Sequence, residues 1–385
     1  MDVPYRQLSL EDAFKVYTDW LVEQLADTQV RSEWYTVFYP LRSLILAGQL
    51  LDRQDCMDTV VRYLDIYVSQ QLPNGGFTSN QREKPTSEMT KREFHDILRS
   101  GKVNLADNGS NVTALIQAAM ALTDDRRERY LDAARKWFDE CVPIWALPDG
   151  GYGNGIWQGH KINTPYTCAM SNTATALAAF SMVTGESEYI ENAERCIVFQ
   201  CNNWLADGRP IFLDCYPRPR KCALNDYSHS FYLLEGMCWT HCVSKNDEAR
   251  ATIEKRLKEW IFGEEGLLSQ WRDSWFNFQF IAYPPEEPGE LPMTRMWLRP
   301  GWELAKSNGI MHTFLYYLNH IDNDARLREK VELGMKFLSH PLKARHSGVL
   351  TELDESYGFF SEQATGFAGL SLAEGIRKDA VFDLK

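Results

Sequence analysis

Ser110-Asn111-Val112-Thr113-Ala114-Leu115 and Ser171-Asn172-Thr173-Ala174-Thr175-Ala176-Leu177 open two helical patterns of one kind. Each runs through small and apolar residues to a threonine, Thr123 in one copy and Thr184 in the other. A short link follows, and then a more amphipathic helix containing Tyr130-Leu131-Asp132-Ala133-Ala134 or Tyr189-Ile190-Glu191-Asn192-Ala193. Tyr63-Leu64, in the pattern over 54–72, is a third echo. Self-similarity at a fixed spacing is the mark of a repeat built from one supersecondary unit, here a pair of helices.

Working outward, the alternation spans the chain. Helices rich in small and apolar residues are expected over 38–52, 110–123, 168–184, 227–243, 302–320 and 363–378. Helices with a charged face at 3.6-residue spacing are expected over 10–26, 54–72, 126–143, 188–205, 246–262 and 324–340. The first kind suits an inner layer packed on all sides, the second an outer layer with one face in water. The first outer helix has no inner helix before it, and the last inner helix has no outer helix after it, so those two can pair and close a ring. The expected fold is all-α, an (α/α)6 toroid forming a single domain over 1–385. Capping agrees: Ser9-Leu10-Glu11-Asp12 reads as a capping box, and Asp107 to Ser110 supply cap candidates ahead of the second inner helix. Strand signals are sparse and fall in loops, as at Gly151-Tyr152-Gly153.

Hydrophobic residues make up 44% of the 385, ample for a core, and no apolar run approaches the ~18 residues of a membrane span. Met1-Asp2-Val3-Pro4-Tyr5-Arg6 has neither a basic n-region nor an apolar h-region, so no signal peptide is read there and a cytoplasmic location is expected. The nine cysteines are odd in number, scattered and without a Cys-x-x-Cys pair, which suits small buried thiols in a reducing compartment. A net charge of −12 argues against a nucleic-acid partner. It leaves room for an anionic small substrate in a local basic pocket.

Inner-to-outer links are short, near 124–126, 185–187, 244–246 and 321–323, whereas outer-to-inner links are long, about 73–109, 144–167, 206–226, 263–301 and 341–362. In a ring, that alternation puts the long loops on one face, at the N-termini of the inner helices. Those ends carry unpaired N–H groups and partial positive charge. Two of the loops share a turn: Leu72-Pro73-Asn74-Gly75-Gly76-Phe77 matches Leu147-Pro148-Asp149-Gly150-Gly151-Tyr152. It reads as a structural turn, with a role for Asp149 in the site as the alternative.

The mouth so defined gathers aromatics, among them Trp34, Tyr35, Tyr39, Trp157, Tyr166, Tyr216, Tyr227, Trp271, Trp275, Trp297, Trp302 and Tyr357. Aromatic faces stack on sugar rings or on the cation of a cyclising isoprenoid. Asp107, Asn172, Asp226 and His229 share the rim, with Glu352, Asp354, Glu355 and Glu362 before the sixth inner helix. Converging carboxylates suit general acid/base work, and arginines suit a substrate carboxylate. Arg218, Arg220 and Lys221 form the basic cluster, joined by Arg272, Arg295 and Arg299. We expect catalysis by Asp107, with Asp226 or His229 as second acid/base or orienting group. Asp149, Trp157, Asn172, Tyr216, Arg218, Arg220, Tyr227, Trp275, Trp302 and Tyr357 are the expected substrate contacts. A capping role competes for Asp107 and Asp226, and a core role for His229. His241, Cys242 and Asp124-Asp125 fall on the opposite, short-link face and read as structural. No zinc-ligand set is apparent, and no cofactor is expected.

In layout the chain resembles the (α/α)6 carbohydrate-active enzymes, in particular the unsaturated glucuronyl and rhamnogalacturonyl hydrolases. That resemblance implies a cytoplasmic glycoside hydrolase acting on an acidic oligosaccharide. It places a catalytic Asp at the start of the second inner helix, where Asp107 stands, and a second Asp at the start of the third, where this chain has Ser171-Asn172. The third-helix region also resembles the helical domain of glucuronyl C5-epimerases, so a uronate epimerase or lyase is the alternative. Gln71-Leu72-Pro73-Asn74-Gly75-Gly76-Phe77 resembles the Gln…Gly…Trp repeat of triterpene cyclases, but the Asp-x-Asp-Asp motif is missing and Asp124-Asp125-Arg126-Arg127-Glu128 lies on the wrong face. A non-catalytic glycan-binding toroid is the third reading, told apart by whether a mouth carboxylate has a perturbed pKa.

Overall fold

The structure is a computed structural model that describes residues 7–27, 34–78, 103–157, 160–162, 165–204, 208–214, 220–223, 227–264, 266–270, 309–340 and 358–384. Its long helices are α1 (Leu10–Gln24), α2 (Tyr35–Leu51), α3 (Gln54–Ser69), α4 (Leu105–Ala121), α5 (Arg126–Lys136) and α6 (Thr167–Thr184). They continue as α7 (Ser187–Cys201), α8 (Tyr227–Val243), α9 (Asp247–Phe262), α10 (Ile310–His320), α11 (Ala325–Leu338) and α12 (Gly358–Ile376).

The even-numbered helices form the inner ring. Around it, α2 packs on α4, α4 on α6, α6 on α8, α8 on α10, α10 on α12, and α12 back on α2. The odd-numbered helices cover it, and α1 packs against α12, which closes the circle between the two unpaired elements. Composition explains the division. Every residue from Thr167 to Ser181 in α6 is buried, so small side chains must serve all sides of the helix. In α3 the buried set is Cys56, Thr59, Val60, Tyr63, Leu64 and Tyr67, a single stripe at helical spacing. Inner helices approach closely where glycine permits: a Cβ on Gly366 of α12 would lie 2.3 Å from the Pro40 nitrogen in α2.

Local signals end the helices where the sequence suggests. Ser9 Oγ accepts from Asp12 N at 3.0 Å, Asn246 caps α9, Asp324 caps α11, and Gly185 ends α6 with φ +75. Asp124 Oδ1 accepts from Arg126 N at 3.0 Å, so it serves the start of α5. α5 continues through a π turn, Trp137–Cys141, into Val142–Trp145, where Pro143 has no N–H to offer a regular ladder. One expectation is corrected. The second inner helix begins at Leu105 rather than near 110, so Asp107 to Ser110 lie inside it instead of capping it. Its first N–H groups are met from another loop by Asn154, whose backbone oxygen takes Leu105 N at 3.1 Å and whose Oδ1 takes Ala106 N at 3.4 Å.

The loops before α4 and α6 meet on one face of the ring. Strand β1 (Val103–Asn104) comes from the loop before α4, and β2 (Gly155–Trp157) and β3 (His160–Ile162) come from the loop before α6. β1 pairs antiparallel with β2 through Val103 and Ile156, so the two loops meet above the ring. A two-stranded ribbon, β4 (Ile211–Asp214) with β5 (Arg220–Ala223), rises from the next long link. The repeated turn has one geometry in both copies. Leu72 N bonds Gly76 O and Leu147 N bonds Gly151 O, with Gly75 and Gly150 at φ +79 and +97. A Cβ on Gly75 would lie 2.3 Å from Lys136 O, and one on Gly150 would lie 3.3 Å from Arg195 O, so each turn packs on the following outer helix. Gly208 also has positive φ, +85, and packs against Glu259 of α9.

The opposite face is filled by the segment after α12, which no repeat foretold. Ala380, Val381 and Phe382 are buried beneath the ring. Phe382 packs on Tyr316 at 4.6 Å and Trp239 at 5.4 Å between ring centroids. Glu374 anchors the segment by accepting from Asp379 N at 2.8 Å and Val381 N at 3.0 Å. Burial pushes its carboxyl up to about 7, although those two N–H groups pull the other way. A carboxyl raised in the fold contributes stability below its unfolded pKa and loses it as pH rises through the folded value. Urea midpoints should therefore fall as pH rises from 4.5 to about 7, and Glu374→Gln should flatten that slope; an unchanged slope in the variant would refute the assignment.

Among the described residues Cys56, Cys141, Cys168, Cys196, Cys201 and Cys238 are buried free thiols, and Cys242 is a partly buried one. No described helix is long and apolar enough to cross a membrane.

Candidate active site

Asp107 is the third residue of α4, half-buried, at the end of the ring where the loops before α4 and α6 meet. Three asparagines hold its turn. Asn154 meets the first two N–H groups of the helix, as described above. Asn172, 4% exposed on α6, donates from Nδ2 to Ala106 O at 2.9 Å. Asn108 grips the backbone of Phe77, accepting from its N at 2.8 Å and donating to its O at 3.0 Å. A Cβ on Gly109 would lie 2.6 Å from the Asn172 carbonyl carbon, so the approach of α4 to α6 requires glycine there. Phe77 stacks on Tyr67 at 4.1 Å, and Asn111 donates to the Tyr67 hydroxyl at 3.0 Å. Burial, reinforced by the charge of Asp107, pushes the Tyr67 phenol well above its ordinary value.

Farther along the ring axis lies a polar column. The Tyr39 hydroxyl is 3.4 Å from Ser110 Oγ, and its ring packs against Phe367 at 4.3 Å and Phe231 at 5.4 Å. The Arg42 guanidinium lies 5.2 Å from the Tyr39 ring centroid. Arg42 donates from Nε to Gln117 Oε1 at 2.8 Å and from Nη2 to Glu235 Oε1 at 2.6 Å. His312 Nε2 is 3.4 Å from the same Glu235 oxygen. Burial alone would raise the Glu235 carboxyl, but Arg42 and His312 outweigh it and hold the group below its usual value. Burial depresses His312, which favours the neutral ring beside the Arg42–Glu235 ion pair. Arg42, Gln117, Glu235 and His312 were not singled out in the sequence. The available signal was a charged or polar side chain inside a helix otherwise made of apolar and small residues.

The structure brings together part of the expected set. Asn172 touches the turn of Asp107, and the backbone of Trp157 lies in the strand that pairs with β1 just before α4. Arg220 pairs in backbone with Asp214, in a ribbon whose first strand contacts α6. Asp149 is exposed and accepts from Gly151 N at 3.3 Å within the turn that packs on α7. His229 and Tyr227 lie in the first turn of α8; their side chains, and those of Trp157 and Arg220, lie outside the described set. Asp226, Tyr216, Arg218, Trp275, Trp302 and Tyr357 lie outside the described residues. On the short-link side, His241 is held by the Tyr316 hydroxyl at 2.9 Å and Glu254 at 2.8 Å, a satisfied structural histidine. Among the described residues, no cluster of three or more His, Cys, Asp or Glu is placed to hold a metal ion. Two clefts on the outer layer, one beside Tyr189 and Arg195 and one beside Glu194 and Asn246, involve none of the expected site residues.

No family model matches the chain, and no curated protein matches it. Solved structures do. A family 76 glycoside hydrolase from a bovine Bacteroides thetaiotaomicron strain superposes with a TM-score of 0.62 at 11% identity, covering 97% of this chain and 78% of that one. A possible member of the GH105 family from Salmonella enterica serovar Paratyphi A gives 0.60 at 13% identity, covering 96% and 93%. A sugar epimerase from a ruminal bacterium gives 0.54 at 13% identity, covering 78% and 74%. Identities this low speak to architecture alone, and with the closed inner ring they establish that this chain is an (α/α)6 toroid, the fold it shares with those carbohydrate-active proteins.

Proposed function

We propose that the chain is a carbohydrate-active enzyme, a glycoside hydrolase acting on an acidic, uronic-acid-containing oligosaccharide with Asp107 as the proton-transferring group. The observation that carries this reading is the placement of Asp107. It is a half-buried carboxyl on the first turn of an inner helix, at the loop-bearing end of the ring, on a turn fixed from other elements by Asn154 and Asn172. General acid/base catalysis asks for such a group, held still yet within reach of a ligand. Asp226 or His229 is the proposed second acid/base or orienting group. Likeness to solved glycoside hydrolase structures supports the class. The direct test is a panel of unsaturated uronate disaccharides followed by loss of their absorbance. Absence of turnover on every member would overturn the substrate class.

Arginine reads the acidic group in this proposal. Arg218 and Arg220 lie in Pro217-Arg218-Pro219-Arg220, where proline restricts the backbone and limits the entropy lost on binding. A charge-assisted bond contributes about 1.5–3 kcal/mol, so replacing the engaged arginine by Ala should weaken binding roughly tenfold to a hundredfold. A neutral analogue of the same sugar should be unaffected. Equal loss for both ligands would remove charge reading from these residues.

An epimerase is the second reading, favoured by the likeness to the ruminal sugar epimerase. It predicts solvent deuterium entering the sugar without bond cleavage.

A further inference from the structure

We infer that Asn172 is a positioning residue for Asp107. The inference rests on the reading of Asp107 as the proton-transferring group. The carbonyl that Asn172 holds, Ala106 O, belongs to the peptide unit whose nitrogen is that of Asp107, so the 2.9 Å bond fixes the plane from which the Asp107 side chain departs. Asn154 holds the other side of residue 106 through its N–H at 3.4 Å. Residue 106 is thus clamped on both its N–H and its C=O by side chains from two separate elements.

The interaction requires a donor at position 172. A carboxylate there would turn a negative oxygen toward a carbonyl oxygen in a site that is 4% exposed, with water scarcely available to relieve it. The close packing of α4 on α6 at Gly109 brings the two backbones near enough for the short Asn side chain to span them. A carboxamide is therefore the group that fits this place, and Asp107 serves without an acidic neighbour at residue 172.

Three variants test this on an unsaturated disaccharide that the wild-type protein turns over. Asn172→Ala should lower kcat roughly ten- to a hundredfold, as small misplacements of reacting groups do, with KM changed by less than about twofold. In Asn172→Asp the introduced carboxyl can donate to Ala106 O only while protonated. Its kcat should carry an added ionisation, falling as pH rises, that neither the wild type nor Asn172→Ala displays. Melting curves recorded at each pH separate this from loss of folded protein; should the acidic variant not fold, Asn172→Ala carries the test alone. A raised KM with unchanged kcat would make Asn172 a ligand contact and overturn the inference, as would unchanged kinetics. Asp107→Asn run in parallel distinguishes the two failures. Its retained turnover overturns the reading of Asp107 itself, whereas its loss beside normal Asn172 variants overturns only the positioning role.

Discussion

Asp107→Asn is expected to leave the fold nearly intact and to remove turnover by roughly 10²–10⁴-fold, the usual loss when a general acid or base is deleted. The change is isosteric and falls on a half-buried side chain, so packing in the first turn of α4 is preserved. The backbone of that turn is held by Asn154 and Asn172 through residues 105 and 106, which the substitution does not touch. The helix N-terminus favours a carboxylate in its first turn, so removing the charge should lower stability by about 0.3–1 kcal/mol. Substrate affinity should change little, because the interaction lost is one made in the transition state. The measurement is kcat and KM beside a thermal melt. Early melting with normal specific activity would make Asp107 a structural residue and remove the proposed mechanism.

Glu235→Gln carries the largest expected effect on stability. Arg42 and Glu235 are each 1% exposed and joined at 2.6 Å, and breaking one partner of a buried pair leaves the other charge uncompensated. Such losses are typically about 3–5 kcal/mol. The sign of the pH dependence follows from the direction of the shift. The Glu235 carboxyl is depressed in the fold, so its contribution is present above the unfolded pKa and is lost as pH falls through the folded value. The gap between wild type and variant in urea denaturation should be widest near neutrality and shrink in strong acid. Replacing both partners by apolar residues, Arg42→Met with Glu235→Leu, should recover much of the loss, because neither desolvated charge then remains. If Glu235→Gln were no less stable than the wild type at pH 7, the pair would not be a structural element of the ring.

The alternation of helix types was legible because it is local. Small residues on all sides of α6 and a single buried stripe on α3 are patterns within one segment, readable before any contact is known. From that alternation and the unequal links followed the twelve-helix ring, the meeting of the loops before α4 and α6, and the pairing of α1 with α12. Helix ends were read less well where the cap came from far away. The start of α4 lies ahead of its local cap signals because Asn154, on another loop, meets its first N–H groups.

What only the tertiary structure decided is which polar side chains converge. Arg42, Gln117, Glu235 and His312 come from four helices spread over most of the chain. Asn172 reaches Ala106 across 66 positions, and the segment after α12 finds the base of the ring through Glu374 and Phe382. A periodic pattern states that a helix has a buried face. It does not fix the rotation of that helix about its own axis, and in an inner helix such as α6, where small residues are buried on all sides, the pattern carries almost no phase. That rotation is settled by close contacts such as Gly109 on Asn172 and Gly366 on Pro40, and it alone determines which side chains meet at the mouth and along the axis.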